Sequence, residues 1–261
     1  NDADVFDISD CSLTTPALRL TADGTGGLQG PAEATIDLAI TDAGDVAPGL
    51  SGPFSLTGDL TRDAAGLATV DLAANGAGIR ADVDASVDTT NSALPVQGTV
   101  MASVADLAPI GRIVGQPLTG AVSVNASGDL VADLSRFAAE IAVETTSLAV
   151  GQPQADLLLR GQGTLTADVA QTEAGLVVRN FTAQTANLTA SGTATAAGGT
   201  TSGQFDVRLR DIGLFTDTLS GPVTAVGTAR LPPSGVIGLD VDATGPGGIT
   251  ASANGTYDPA G

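Results

Sequence analysis

The stretch IRADVDASVD, Ile79 to Asp88, puts Ile79, Ala81, Val83, Ala85 and Val87 on one side of an extended chain. Arg80, Asp82, Asp84, Ser86 and Asp88 fall on the other. Successive side chains of a strand point to opposite faces, so unbroken alternation specifies a half-buried strand and excludes a helix of this length. The same period of two runs through nearly the whole chain, punctuated by Gly, Asn, Asp and Pro turns. It predicts an all-β protein of roughly 16 strands, each about 7 to 10 residues long.

The apolar positions of these strands form the candidate lining of one face. They are Ile36, Leu38 and Ile40 in AEATIDLAIT, Phe54 and Leu56 in GPFSLTGDL, and Val70 and Leu72 in LATVDLAAN. Ile79, Val83 and Val87 follow, then Val100 and Val104 in PVQGTVMASV, and Val122 and Val124 in LTGAVSVNASG. The second half adds Ile141 and Val143 in AAEIAVET, and Leu157, Leu159, Leu165 and Val169 in ADLLLRGQGTLTADVA. Leu188 in LTASGTATA, Phe205, Val207 and Leu209 in GQFDVRLR, and Leu239 and Val241 in VIGLDVDAT complete the set.

A three-part phrase recurs: a strand with small inward residues, a second strand ending near an Asp, then a short apolar turn ending in Gly. Its copies start at Leu18, Ile79, Leu188 and Ile249, at intervals of 61, 109 and 61 residues. The intervals suggest a unit of about six strands with extra strands inserted within residues 121–187, and a fourth copy cut off by the end of the chain. No Pro-rich or charged linker divides the copies, so residues 1–261 read as one continuous segment. In VADLAPIGRIVG the alternation breaks, and Asp106 is placed to cap a single helical turn with Leu107, Ile110 and Val114 on one face. That turn is expected to cover an open end or edge of the sheet.

So many strands sharing one apolar face must stack as sandwiches, close into a barrel or curl lengthwise into a trough. Sandwiches predict a fixed repeat, large core side chains and linkers. A lipid-facing barrel predicts aromatic girdles and an apolar exterior. Here the repeat is uneven, and the 43% hydrophobic content is mostly Ala, Val and Leu, with six Phe, one Tyr and no Trp. The opposite face carries Asp, Arg, Thr and Gln. A curled, mostly antiparallel sheet with a hydrophobic groove fits best. At about 4.8 Å per strand it would run on the order of 75 Å and measure roughly 25 Å across. An acyl chain of about 16 carbons loses on the order of 12 kcal/mol by entering water, and such a groove removes most of that cost. The competing reading is a structural or adhesive extracellular β-repeat protein with a dry packed core.

The charge balance excludes other classes. Ten basic residues, all Arg, against 29 acidic ones give a net charge of -19, which repels nucleic acid and anionic bilayers. With no His and no Lys, the Ser-His-Asp triad, Schiff-base chemistry and the phosphate-loop lysine are absent. Asp82 and Asp84 sit on the outward side of a strand with no aromatic sugar platform, so no catalytic residue, and no enzyme, is expected. The single Cys11 excludes an internal disulfide. Asp2, Asp4, Asp7 and Asp10 match no calcium-loop spacing, and neither metal nor cofactor is expected. No run of 18 apolar residues exists, and the chain begins at Asn1 without a signal peptide. It reads as a mature form or an excised segment, with any anchor outside it.

The phrases DLAPIGRIVGQPLTGAVSVNASGDL (Asp106 to Leu130), GLSGPFSLTGDL (Gly49 to Leu60) and DIGLFTDTLSGPVTAVGTARL (Asp211 to Leu231) resemble those of the TamB family, the translocation and assembly module subunit of the AsmA-like superfamily. The similarity extends over nearly the whole chain from about Leu18. The resemblance implies a segment of an inner-membrane-anchored, periplasm-spanning protein of a Gram-negative envelope, its body a curled β-sheet with a hydrophobic groove. It further implies phospholipid transport toward the outer membrane and partnership with an Omp85-type outer-membrane barrel, through regions outside this segment. The family has no catalytic residues to carry over.

Overall fold

The computed structural model describes residues 5–27 and 30–258, and the chain divides into two compact units, Asn1–Leu134 and Ser135–Gly261. The first unit contains β1 (Val5–Thr14), β2 (Leu18–Gly27), β3 (Ala32–Ile40), β4 (Phe54–Arg62), β5 (Leu67–Gly76), β6 (Ile79–Asp88), β7 (Pro95–Val104), helix α1 (Ala108–Val114) and β8 (Thr119–Val131). The second contains β9 (Phe137–Ala149), helix α2 (Pro153–Leu159), β10 (Gln162–Thr172), β11 (Gly175–Thr185), β12 (Leu188–Ala197), β13 (Thr200–Leu209), β14 (Val223–Leu231), β15 (Ile237–Thr244) and β16 (Thr250–Tyr257). The protein is all-β with two short helices. Within each unit every strand pairs antiparallel with the next in sequence. Each is an open up-and-down meander.

Register follows from the alternation, because a slip of one residue would turn every apolar side chain outward. Ile79 to Asp88 is strand β6 in full, paired from Gly76↔Ile79 to Leu67↔Asp88 on one side and from Ile79↔Val104 to Val87↔Val96 on the other. Among the described residues the sheets have no second layer over their apolar face within either unit. Among the described residues only Ala43 and Ala170 are buried hydrophobics, and no polar residue is buried. The chain exposes 15857 Å² for a mass of 25.5 kDa. Two compact globules of half that mass each would expose roughly 12,500 Å².

The two faces are nonetheless unequal. On the apolar face Ala34, Ala74, Ala81, Ala102 and Ala190 are half-buried, whereas Ala39, Ala73, Ala142 and Ala197 on the polar face are exposed. Identical side chains differ in exposure because each sheet bends toward its apolar side. Ala138 and Ala170, on the polar face of β9 and β10, depart from this pattern.

At one end of each meander long turns, at residues 41–53, 105–118, 150–161 and 210–222, alternate with short ones, and the long turns share hydrogen-bonded features. Asp42 Oδ1 accepts from the N–H groups of Gly44 and Gly52, each at 3.0 Å, around a 3-10 turn at Ala43–Asp45. Asp211 Oδ1 repeats this with Gly213 at 2.9 Å and Gly221 at 2.7 Å around Ile212–Leu214. Asp106 Oδ1 accepts from Ala108 N–H at 2.9 Å ahead of α1. The turns close through the carbonyls of Gly52, Gly120, Gly161 and Gly221, which accept from Ala43, Leu107, Ser147 and Ile212. All four glycines have positive φ, from +86° to +116°, a conformation a Cβ would strain. Turns at the opposite end are short, such as the pair Gly198 and Gly199.

Three expectations are corrected. The 61-residue interval from Leu18 to Ile79 carries four strands, β2 to β5, not six, because the turn between β3 and β4 occupies residues 41–53. Leu157 and Leu159 lie in α2 and not on a strand: Pro153 starts the helix, Asp156 Oδ1 accepts from Val150 N–H at 2.7 Å, and Arg160 returns to extended backbone. At α1, the N-cap residue Leu107 and Ile110 are half-buried, but Val114, the last residue before left-handed Gly115, is 55% exposed. α1 instead reaches the preceding long turn, where Arg112 Nη2 donates to Gly49 O at 3.0 Å.

Candidate binding face

Direct cross-strand partners share a face, so the register assembles the apolar residues into rows. In the first unit one row reads Cys11, Ala22, Ile36, Gly58, Leu72, Val83, Val100, Ala126. Its neighbour reads Leu13, Leu20, Leu38, Leu56, Ala74, Ala81, Ala102, Val124. A third joins Leu18, Ile40, Phe54, Gly76, Ile79, Val104 and Val122. Val70 and Val87 belong to the two rows nearest the short-turn end. In the second unit, Val143, Leu165, Ala183, Ala190, Val207, Ala225, Ala243 and Ala251 make one row. Ile141, Ala167, Phe181, Gly192, Phe205, Gly227, Val241 and Ala253 make the next. Val169 and Leu239 share a third row, and Leu188 pairs with Leu209.

Every strand residue expected to line the apolar face therefore stands on it, while Leu157 and Leu159 do not. The expectation omitted Leu20, Val96, Val178 and Phe181, which share the same face. Val178 and Phe181 are three apart because β11 carries a bulge between them, and the break in alternation hid both.

The chemistry of the face is uniform. Among the described side chains in the paired rows, Arg62 and the exposed thiol of Cys11 are the only ionisable groups of the first unit, and the second unit has no Asp, Glu or Arg there. Small residues recur at set points. Gly58, Ala126, Ala167 and Gly227 each come six positions after the glycine that closes a long turn. A Cβ on Gly58 would stand 2.5 Å from Leu72 Cδ2 and 2.9 Å from Ile36 Cγ2. One on Gly227 would meet Phe205 Cζ at 2.9 Å and Val241 Cγ2 at 3.1 Å. Large neighbours thus lean over each glycine from both sides.

The polar face holds the charge. Asp59, Asp71 and Asp84 are direct cross-strand partners on β4, β5 and β6. The hydrogen bond that the protonated Asp71 carboxyl donates to Asp84, partial desolvation and the negative charges of Asp84 and Asp59 raise the Asp71 carboxyl above its ordinary value. Hydrogen bonds from the Thr90 hydroxyl and N–H, at 2.7 and 3.0 Å, lower Asp88. Asp82 pairs with Arg80 at 3.2 Å. Among the described residues no group of three or more His, Cys, Asp or Glu side chains is arranged to hold a metal ion. Asp2 and Asp4 lie outside the described residues. No helix among them is long and apolar enough to cross a membrane.

The chain matches no family model, no curated protein and no solved structure.

Proposed function

We propose that the apolar face of each unit binds phospholipid acyl chains, and that the chain is a non-enzymatic segment of a TamB-like periplasmic bridge carrying lipid between inner and outer membranes. The observation that carries this reading is a half-buried apolar face, free of acidic side chains and covered by no second layer within its unit. A face of branched aliphatic and small residues takes up alkyl chains without directional bonds, so bound lipid can slide along it. Anchorage in the inner membrane, partnership with an Omp85-type barrel and a role in outer-membrane assembly belong to the same proposal, through the resemblance and through regions beyond this segment.

Native mass spectrometry after gentle extraction tests it. Phospholipid should copurify, and the delipidated protein should rebind it. A protein that carries no lipid and takes up none when it is offered overturns the reading.

A further inference from the structure

The two units differ in charge. Asn1–Leu134 carries 18 acidic residues against four Arg, a net of -14, whereas Ser135–Gly261 carries 11 against six, a net of -5. In the first unit the register sets Asp23, Asp37, Asp59, Asp71, Asp82 and Asp84 on the polar face of β2 to β6. Asp42, Asp45 and Asp106 stand in its long turns, and Asp63 and Asp88 at its short-turn end. Asp88 is held in its charged form by the two hydrogen bonds from Thr90. The four Arg are scattered and form no opposing patch. Arg19 is the cross-strand partner of Ala39, Arg80 pairs with Asp82, and Arg112 donates to Gly49 O. Arg62, the only cation in the apolar rows, donates to Gly27 O and Gly30 O.

A lipid whose chains lie on the apolar rows keeps its polar head in water beside them. There an added negative charge meets the summed field of the unit. In unscreened water each carboxylate about 8 Å away disfavours it by about twofold, and several act together. At 0.01 M ionic strength the field reaches about 30 Å, which includes the polar face across a single sheet; at 1 M it reaches about 3 Å. We propose that this field selects the cargo: each unit takes up net-neutral lipids, zwitterionic or uncharged, in preference to anionic ones, and the first unit does so more strongly than the second. The proposal rests on the acyl-binding reading above, because it concerns which lipids reach the apolar rows. The selection acts at a distance and involves no contact with the head group, so lipids of equal net charge are equivalent.

The test measures the affinity of the delipidated full chain for phosphatidylethanolamine, phosphatidylcholine and phosphatidylglycerol with identical tails, offered in uncharged detergent at low and high salt. At 0.01 M the two zwitterions should bind within about twofold of each other, and phosphatidylglycerol roughly tenfold more weakly. At 1 M all three should converge to within about twofold. Equal affinities at 0.01 M overturn the proposal. A preference that persists undiminished at 1 M also overturns it, assigning selection to a direct head-group contact. Tail-spin-labelled lipid then ranks the units: at 0.01 M the phosphatidylglycerol probe should broaden the methyl resonances of Leu165 and Val207 more than those of Val83 and Val124, while the phosphatidylcholine probe broadens both sets alike. Equal broadening of the two sets by the phosphatidylglycerol probe overturns the difference between units. If none of the three lipids binds at either salt concentration, the acyl-binding reading itself has failed.

Discussion

At the scale of single residues, glycine on the apolar face is a packing element. Gly58→Ala and Gly227→Ala force a methyl group against branched or aromatic neighbours closer than contact distance, and each should cost about 1–3 kcal/mol in chemical denaturation. Gly255, on β16, has no heavy atom within 4 Å of the Cβ it would gain, so Gly255→Ala should stay within about 0.5 kcal/mol of the parent. A charge on the same face should act differently from a methyl group in a crowded spot. Val83→Asp places a carboxylate where no second layer of its unit covers it; the protein should fold, losing about 1–2 kcal/mol, while bound phospholipid falls by roughly tenfold. Global unfolding of this variant, followed by circular dichroism, would count against an uncovered face.

The carboxylates of the polar face give stability a two-sided pH dependence. Asp71 is raised in the folded state, so its contribution is greatest in acid and is lost as pH climbs from 3.8 through the raised value. Asp88 and Asp211 are lowered, so their contributions are present above 3.8 and are lost as pH falls through the lowered values. Asp71→Asn keeps a hydrogen-bonding group next to Asp84 and removes one charge from the row. It should melt higher than the parent at pH 7 and about equal to it at pH 3, where the parent carboxyl is already protonated. A variant that melts lower at pH 7 would show that Asp71 is not held in repulsion.

At the scale of elements, the capped turns are the most repeated construction. Leu50, Ser51, Gly52 and Pro53 recur as Leu219, Ser220, Gly221 and Pro222, and Asp42 with Gly44 as Asp211 with Gly213, all 169 positions later. Asp211→Ala should free the Gly213 and Gly221 amides, whose hydrogen exchange should accelerate by roughly an order of magnitude while exchange in β13 stays unchanged. The strands themselves were legible in the sequence because each obeys one local rule. A helix at α1 was legible from the break in alternation, although it runs for seven residues rather than one turn and Leu107, not Asp106, is its N-cap. What the alternation concealed has local physical causes. Consecutive leucines at 157–159 suit a buried strand or a helix equally, and Pro153 with Asp156 decides for the helix. Bulges in β1 and β11 add unpaired residues, so counting by twos misplaces Phe181.

At the scale of the whole molecule, strand packing joins successive strands within each unit, and no strand of a unit depends on one distant in sequence. Stability in such an arrangement is a sum of nearest-neighbour terms, as in stacked repeats, with no central core whose loss melts everything at once. Loop closure is local, which favours fast folding for a β-protein. Chemical melts should therefore be broad, with probes in different strands disagreeing. Exchange protection in the second unit should decline stepwise from β11 and β12 toward β16, whose residues are exposed on both faces. In the proposed lipid-binding role, such loosely coupled strands mean that one can flex or part to admit a bulky acyl chain while its neighbours keep their pairing.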